Sequence, residues 1–402
     1  MPVFRSLLLV VLVCLATSTP ALALARDWSV IPIPEFIADP NEGNTYGILP
    51  VVLFPDEEGR IRYMLAPDFS YNETKGFFPR FRFFGYPSRT RQYALVAGKS
   101  TTRDERYVGE FSDRGLWDGR AWVFAGAMHE QDSTERFFGF GNSSHEDEES
   151  NYTNNDTQAE LYPGFWIRPH LGIAYRMRIR SHGVHEGQVD SLPFIAVEHP
   201  EVRGRGLERG TYWAHRAELV WDSRDDIDIP SSGVFGAAYA EGTDEALGSA
   251  TSFFKFGWEW RQFVPLSWRN WTAVLAMRAL IDYVSAGDDT PFWERSTLGG
   301  RTALRAFGAD RFIDFNRSLG SVELRTPVYS RHIFGVNPVL ELAPFFETGQ
   351  VFKGVTQSPV DDLHIAYGMG FRAVIRPQIV AFVDVGFGYE GSAVFSGVNY
   401  PF

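Results

Sequence analysis

The sequence predicts an all-β protein, an antiparallel transmembrane β-barrel closed on itself and built from 16 strands. Three observations point there. Apolar and polar residues alternate with a period of two over unusually long runs. Aromatic residues make up 15% of the chain, with 34 Phe, 16 Tyr and 11 Trp. The first residues read as an export signal.

The alternation is clearest in a few stretches. Tyr175, Met177 and Ile179 share one face while Arg176, Arg178 and Arg180 share the other. Phe254, Phe256, Trp258 and Trp260 oppose Lys255, Gly257, Glu259 and Arg261. A longer apolar row runs from Trp271 to Tyr283, opposed by Arg278 and Asp282. This is strand spacing, not the 3.6-residue spacing of a helix. Several rows reach the length that a tilted membrane-spanning strand needs. In lipid every backbone group must be paired within the protein, so such a sheet has to close.

Read back from Phe402, strand cores fall near 393–402, 379–389, 364–376, 337–352, 314–327, 270–287, 252–266, 233–245, 211–223, 171–184, 157–168, 119–131, 104–114, 91–101, 76–86 and 60–72. A further candidate lies at 45–55. Single-chain bacterial barrels have an even strand count, which selects 16. Short turns at 168–170, 265–269 and 376–378 alternate with long polar loops at 136–156, 185–210, 288–313 and 353–363. Short turns belong on the periplasmic side and long loops outside.

Arg5, the apolar run Leu7 to Leu15 and the small-residue sites ending at Ala23 and Ala25 form a secretory signal peptide. The run is too short for a spanning helix, and no later stretch approaches that length. The expected organisation is a signal peptide at 1–25, a short periplasmic segment at 26–44 and the barrel at 45–402, in the bacterial outer membrane. The single cysteine, Cys14, leaves with the signal, so disulfides and thiol chemistry are excluded. A net charge of −12 speaks against a nucleic-acid partner.

Several motifs then follow in order. Leu298-Gly299-Gly300 precedes Leu304-Arg305-Ala306-Phe307. Gly320-Ser321-Val322-Glu323-Leu324-Arg325 comes next, then Phe345-Phe346-Glu347-Thr348-Gly349, and a last hairpin from Gly368 to Pro377 and Ile379 to Gly388. Upstream stand Asp222-Ser223-Arg224-Asp225, with Pro230 and Gly233, and Phe137-Phe138-Gly139-Phe140-Gly141-Asn142. Together they resemble the bacterial surface antigen superfamily, the assembly-factor barrels of the BamA and TamA type. Ala306 stands where that family usually has glycine, and Glu347 where it usually has aspartate. The stretch from Arg26 to the first strand candidates is shorter than half of one POTRA domain, so a barrel without such domains is expected.

The resemblance implies that an outer loop folds into the lumen with Leu304, Arg305, Ala306 and Phe307. An arginine carried there needs a carboxylate, because an unpaired buried charge is costly. Strand parity points both Glu323 and Glu347 inward. Arg305 paired with Glu347 would tether the loop, and Glu323 with Arg325 would form a second lumen pair. Phe345 and Gly349 belong to the strand motif. Tyr400 and Phe402 read as the terminal signal recognised by the barrel assembly machinery.

Catalytic and metal signals are weak. No Gly-x-Ser-x-Gly or His-Glu-x-x-His occurs. His182, His185 and His199 read as outer-loop histidines, and His145 to Glu149 as a solvated acidic run. Arg176, Arg178 and Arg180 are expected to pair with lumen carboxylates such as Glu218 and Glu259. No cofactor or metal is implied. The expected partners are outer-membrane lipid and lipopolysaccharide, with the assembly machinery during biogenesis. The expected role is outer-membrane biogenesis or transport of protein or lipid, without enzymatic activity. A passive pore for small solutes is the alternative, and a lipid-modifying enzyme a weaker third.

Overall fold

Alternating lipid-facing and lumen-facing residues build one antiparallel sheet in which each strand pairs with the next in the chain. The structure, a computed structural model, describes residues 28–402 apart from 59, 203–206, 270, 286–289, 332–336 and 377–378. The signal-peptide reading lies outside the described residues.

The barrel has 18 strands rather than the expected 16. They are β1 (Ser29–Asp39), β2 (Gly43–Pro55), β3 (Ile61–Leu65 and Asp68–Asn72), β4 (Gly76–Gly85), β5 (Arg91–Lys99) and β6 (Glu105–Gly115). Then come β7 (Ala121–Phe137), β8 (Ser150–Arg168), β9 (Leu171–Glu186), β10 (Gly210–Asp222), β11 (Gly233–Thr243) and β12 (Phe253–Trp268). The last six are β13 (Trp271–Ser285), β14 (Asn316–Ser330), β15 (Val339–Phe352), β16 (His364–Ile375), β17 (Ile379–Gly388) and β18 (Gly391–Val398).

The correction has a physical cause. The two unexpected strands are β1, inside the stretch read as a periplasmic segment, and β2, the leftover candidate. Apart from Glu35 and Asp39, β1 is apolar on both faces, and it carries Pro32 and Pro34, so it shows neither clear alternation nor strand-like composition.

Those prolines are placed where their missing N–H groups do least harm. Pro32 lies opposite Pro50 in the β1–β2 register. Two prolines cannot exchange N–H···O bonds, so this is a pair whose backbone groups point outward to the flanking strands. On β1, the missing donors at 32 and 34 therefore face β18. There the barrel closes through a single bridge, Ala38 to Val394. On the other side of β2, pairing with β3 is interrupted between Ile48–Phe69 and Val52–Leu65. Pro50 and Pro67 fall in that gap, and β3 splits there.

The outward face carries exposed Tyr46, Phe69, Phe81, Leu95, Ile173, Leu219, Phe256, Trp258 and Tyr367, the apolar band a lipid-facing barrel requires. The inward face is charged over most of its height. Towards the short-turn end beside β1 it becomes apolar, where Leu49, Val51, Leu53, Met64 and Ala66 pack with Ile375 and Ile379.

At the long-loop end, Phe137, Tyr152, Val184, Ile195, Val202, Phe292 and Ile313 form a buried cluster. The loop between β13 and β14 enters the barrel through a small ribbon, Ser296–Leu298 paired with Phe312–Asp314. Gly299 and Gly300, at φ 121° and 90°, reverse it tightly, a conformation side chains resist. Leu298, Leu304, Phe307 and Phe312 then pack on Leu319, Val351 and Ala366 of the wall.

Candidate functional site: the charged network of the lumen

Residues 300–308 cross the lumen beside β14 to β18, and Arg305 sits at the centre with no exposed surface. Its Nε donates to Glu347 Oε1 at 3.0 Å, and its backbone N–H to Glu347 Oε2 at 2.7 Å. Its Nη1 donates to Glu323 Oε2 at 2.9 Å and to Asp384 Oδ2 at 2.8 Å. The guanidinium carbon lies 3.7 Å from the centroid of the Phe345 ring, a favourable stacking for a desolvated cation.

The site extends beyond Arg305. Arg372 Nη2 donates to Glu323 Oε2 at 3.1 Å, and Arg372 also pairs with Asp384. Arg325 Nε donates to Glu323 Oε1 at 2.9 Å. Three arginines and three carboxylates thus balance in charge, all nearly or fully buried. Arg305 Nη2, Arg325 Nη1 and Arg372 Nε have no hydrogen-bond partner among the described residues. A buried ion network of this kind gives little net stability, but removing one member costs about 3–5 kcal/mol by stranding its partner.

The backbone is shaped to admit the loop. A Cβ at Gly386 would overlap the carbonyl of Arg305. A Cβ at Gly349 would come within 2.6 Å of the Ser318 carbonyl oxygen and 3.2 Å of Leu298. Ala306, where the resembled family has glycine, is buried, and its Cβ would lie 3.0 Å from a Cβ at Gly388. Phe307 and Leu304 are buried in the same cluster.

The structure therefore brings together Leu304, Arg305, Ala306, Phe307, Glu323, Arg325, Phe345, Glu347 and Gly349. Tyr400 and Phe402 lie elsewhere than a strand end. β18 stops at Val398, and Asn399 takes a left-handed φ of 78° that turns the chain into the barrel. Phe402 is buried against Phe263 and Ala276. Arg325 Nη2 donates to the Phe402 carbonyl at 3.1 Å and the guanidinium stacks on Tyr400 at 3.7 Å. Tyr400 donates to Glu341 Oε2 at 2.8 Å.

Sequence reasoning missed Arg372 and Asp384, although parity alone would have pointed both inward. It also missed Glu294. Arg178 and Arg180 pair with this loop carboxylate at 3.1 and 3.0 Å, and Lys255 joins them at 2.7 Å. Glu218 instead accepts from Tyr162 and Arg216, and Glu259 from Arg261 and Arg278. His182 is buried and stacks on Trp293 at 4.0 Å, while His199 bonds the Glu148 carbonyl at 2.8 Å.

A family model, the Omp85 superfamily domain, matches residues 89–376. Among solved structures the fold is similar to BamA from Haemophilus ducreyi lacking POTRA domains 1–3, with TM-score 0.55 and 11% identity over 92% of this chain and 74% of that one. It is also similar to CdiB from Escherichia coli, with TM-score 0.53 and 10% identity over 94% of this chain and 63% of that one. No curated protein sequence matches the chain. The family match spans well over half of the sequence, and the chain belongs to the Omp85 superfamily as an outer-membrane β-barrel.

Proposed function

We propose that this barrel contributes to outer-membrane biogenesis or to transport of protein or lipid at that membrane, with no enzymatic step. The observation that carries the reading is the lumen-crossing loop held by Arg305 against Glu323, Glu347 and Asp384. An unselective pore does not require a loop pinned across its lumen by three buried carboxylates. A barrel whose work depends on holding and releasing its interior does. Lipid and lipopolysaccharide surround it, and the barrel assembly machinery inserts it.

The test is a strain lacking the protein, complemented with wild type or with Arg305→Ala. Outer-membrane protein and lipid composition is then quantified. The reading expects a changed composition in the null strain, restored by wild type and incompletely by the variant. The cavity described below favours one second reading, a passive pore. Unchanged composition with altered uptake of small solutes would support that reading and overturn the first.

A further inference from the structure

The inserted loop fills only part of the barrel. Beside β1 to β7 it leaves a cavity of about 720 Å³ that runs most of the barrel's height, within the range of small-molecule sites. Its lining is graded. Glu42, Asn72, Lys75 and Asp132 face it near the long-loop end, Arg80, Arg82, Arg106 and Arg301 at mid-height, and Met64, Phe84, Tyr86 and Ile379 near the short-turn end.

Most of the cavity's charges are already matched. Arg80 and Arg82 both hold Asp68, and Arg106 holds Glu130. Lys75 holds Glu42 and Asp132 at 2.7 Å each. Glu35 lies close to Asp68 and to the two arginines that hold it. Glu110 faces the cavity near Glu160 and Arg106 without an ion-pair contact.

Arg301 is different. It projects from the Gly299–Gly300 turn with its side chain open to the cavity. No carboxylate among the described residues pairs with it, and the charge that acts on it is Arg106, of the same sign. Among the described residues, the loop thus presents to the cavity one cation with no paired carboxylate, and a second arginine, Arg106, lines the same cavity.

The same cavity reaches the barrel's weakest junction. Glu35 and Ile37 of β1 and Ser396, Gly397 and Val398 of β18 line it, and those two strands share only one bridge. A Cβ at Gly397 would lie 3.5 Å from Arg301 Nη1, so the guanidinium stands next to that junction. Glu35 Oε2 and Ser396 Oγ are buried there without hydrogen-bond partners among the described residues.

We infer that the cavity is a binding site for an oxyanion, phosphate or carboxylate, held by Arg301 with Arg106 beside it and carried by an amphiphile whose chain lies along the apolar floor and the β1–β18 junction. The cation supplies the charge-assisted hydrogen bond. The apolar floor supplies burial for methylenes, each worth about 0.8 kcal/mol. The junction supplies an entry from the bilayer that needs almost no hydrogen bonds broken.

The test uses the full chain, purified in a neutral detergent, with retained ligand read by native mass spectrometry. The probes are phosphatidylglycerol, phosphatidylcholine and inorganic phosphate. The proteins are wild type, Arg301→Gln and the exposed-turn control Arg331→Gln. Arg301 has no ion-pair partner among the described residues, so its variant is expected to fold, which a heat-dependent gel shift checks. The expected result is one phosphatidylglycerol retained by wild type and by the control, and roughly tenfold less by Arg301→Gln, the loss of one charged hydrogen bond. Retention of phosphate without phosphatidylglycerol would keep the oxyanion site but overturn its lipid source. Retention of either phospholipid that ignores Arg301→Gln would overturn the site itself.

Discussion

Glu347 holds Arg305 twice, one carboxylate oxygen accepting from the side chain at 3.0 Å and the other from the backbone at 2.7 Å. The contact therefore fixes where the main chain of the loop runs as well as where its charge goes. Glu347→Ala is expected to strand both donors and destabilise the barrel by about 3–5 kcal/mol. Glu347→Gln keeps an acceptor of the same shape and is expected to cost less. The thermal midpoint of the heat-dependent gel shift checks both. An alanine variant as stable as wild type would contradict the tether.

Gly386 makes room for that main chain on the facing strand. Gly386→Ala is expected to push the loop carbonyl at Arg305 away, at about 1–3 kcal/mol for overpacking. Because the wall strands themselves are untouched, the barrel still forms. Limited proteolysis checks this, with cleavage within 299–311 becoming faster in the variant. Equal cleavage rates would mean that the loop does not press on β17.

The proline edge of β1 predicts a weak junction. Pro32→Val and Pro34→Val each return a backbone donor to the side facing β18. Together they are expected to extend pairing beyond Ala38 and Val394, slowing amide exchange along both strands. Unchanged exchange would show that something other than the missing donors limits closure.

This junction also marks the limit of the sequence reading. The strands β3 to β18 were legible because lipid on one side and charge on the other enforce alternation. β1 was not, because it faces lipid outward and an apolar floor inward, so Ile31 and Ile33 match Val30 and Phe36 in character. The expectation of Glu347 as a partner of Arg305 came from the family resemblance, with parity pointing Glu323 and Glu347 inward. Asp384 and Arg372 were not foreseen, since parity says which way a residue points but not which charges meet across a lumen. Glu294 sits in a loop, where no period exists to read. The inward turn of Tyr400 and Phe402 depends on the φ of a single residue, Asn399.

Glu294 gives the long-loop end a pH dependence. Burial alone would raise its carboxyl, but the charges of Lys255, Arg178 and Arg180 outweigh that and hold it well below the usual carboxylate range. A carboxyl lowered in the folded state stabilises it at neutral pH. That contribution begins to fade as pH falls below the unfolded value of about 4.3 and is lost through the lowered folded value. Glu294→Gln is expected to be less stable at pH 7 and to show a shallower loss on acidification. Parallel pH profiles for the two proteins, measured by thermal midpoint, would contradict this.

The central claim is that Arg305 holds a loop across the lumen. Single-channel conductance of the refolded protein in planar bilayers, with Arg305→Ala beside it, tests this most directly. The account predicts a small, unsteady conductance for wild type and a clearly larger one for the variant. A large, steady conductance in both would mean that the lumen is open whether or not Arg305 is present, and would contradict it.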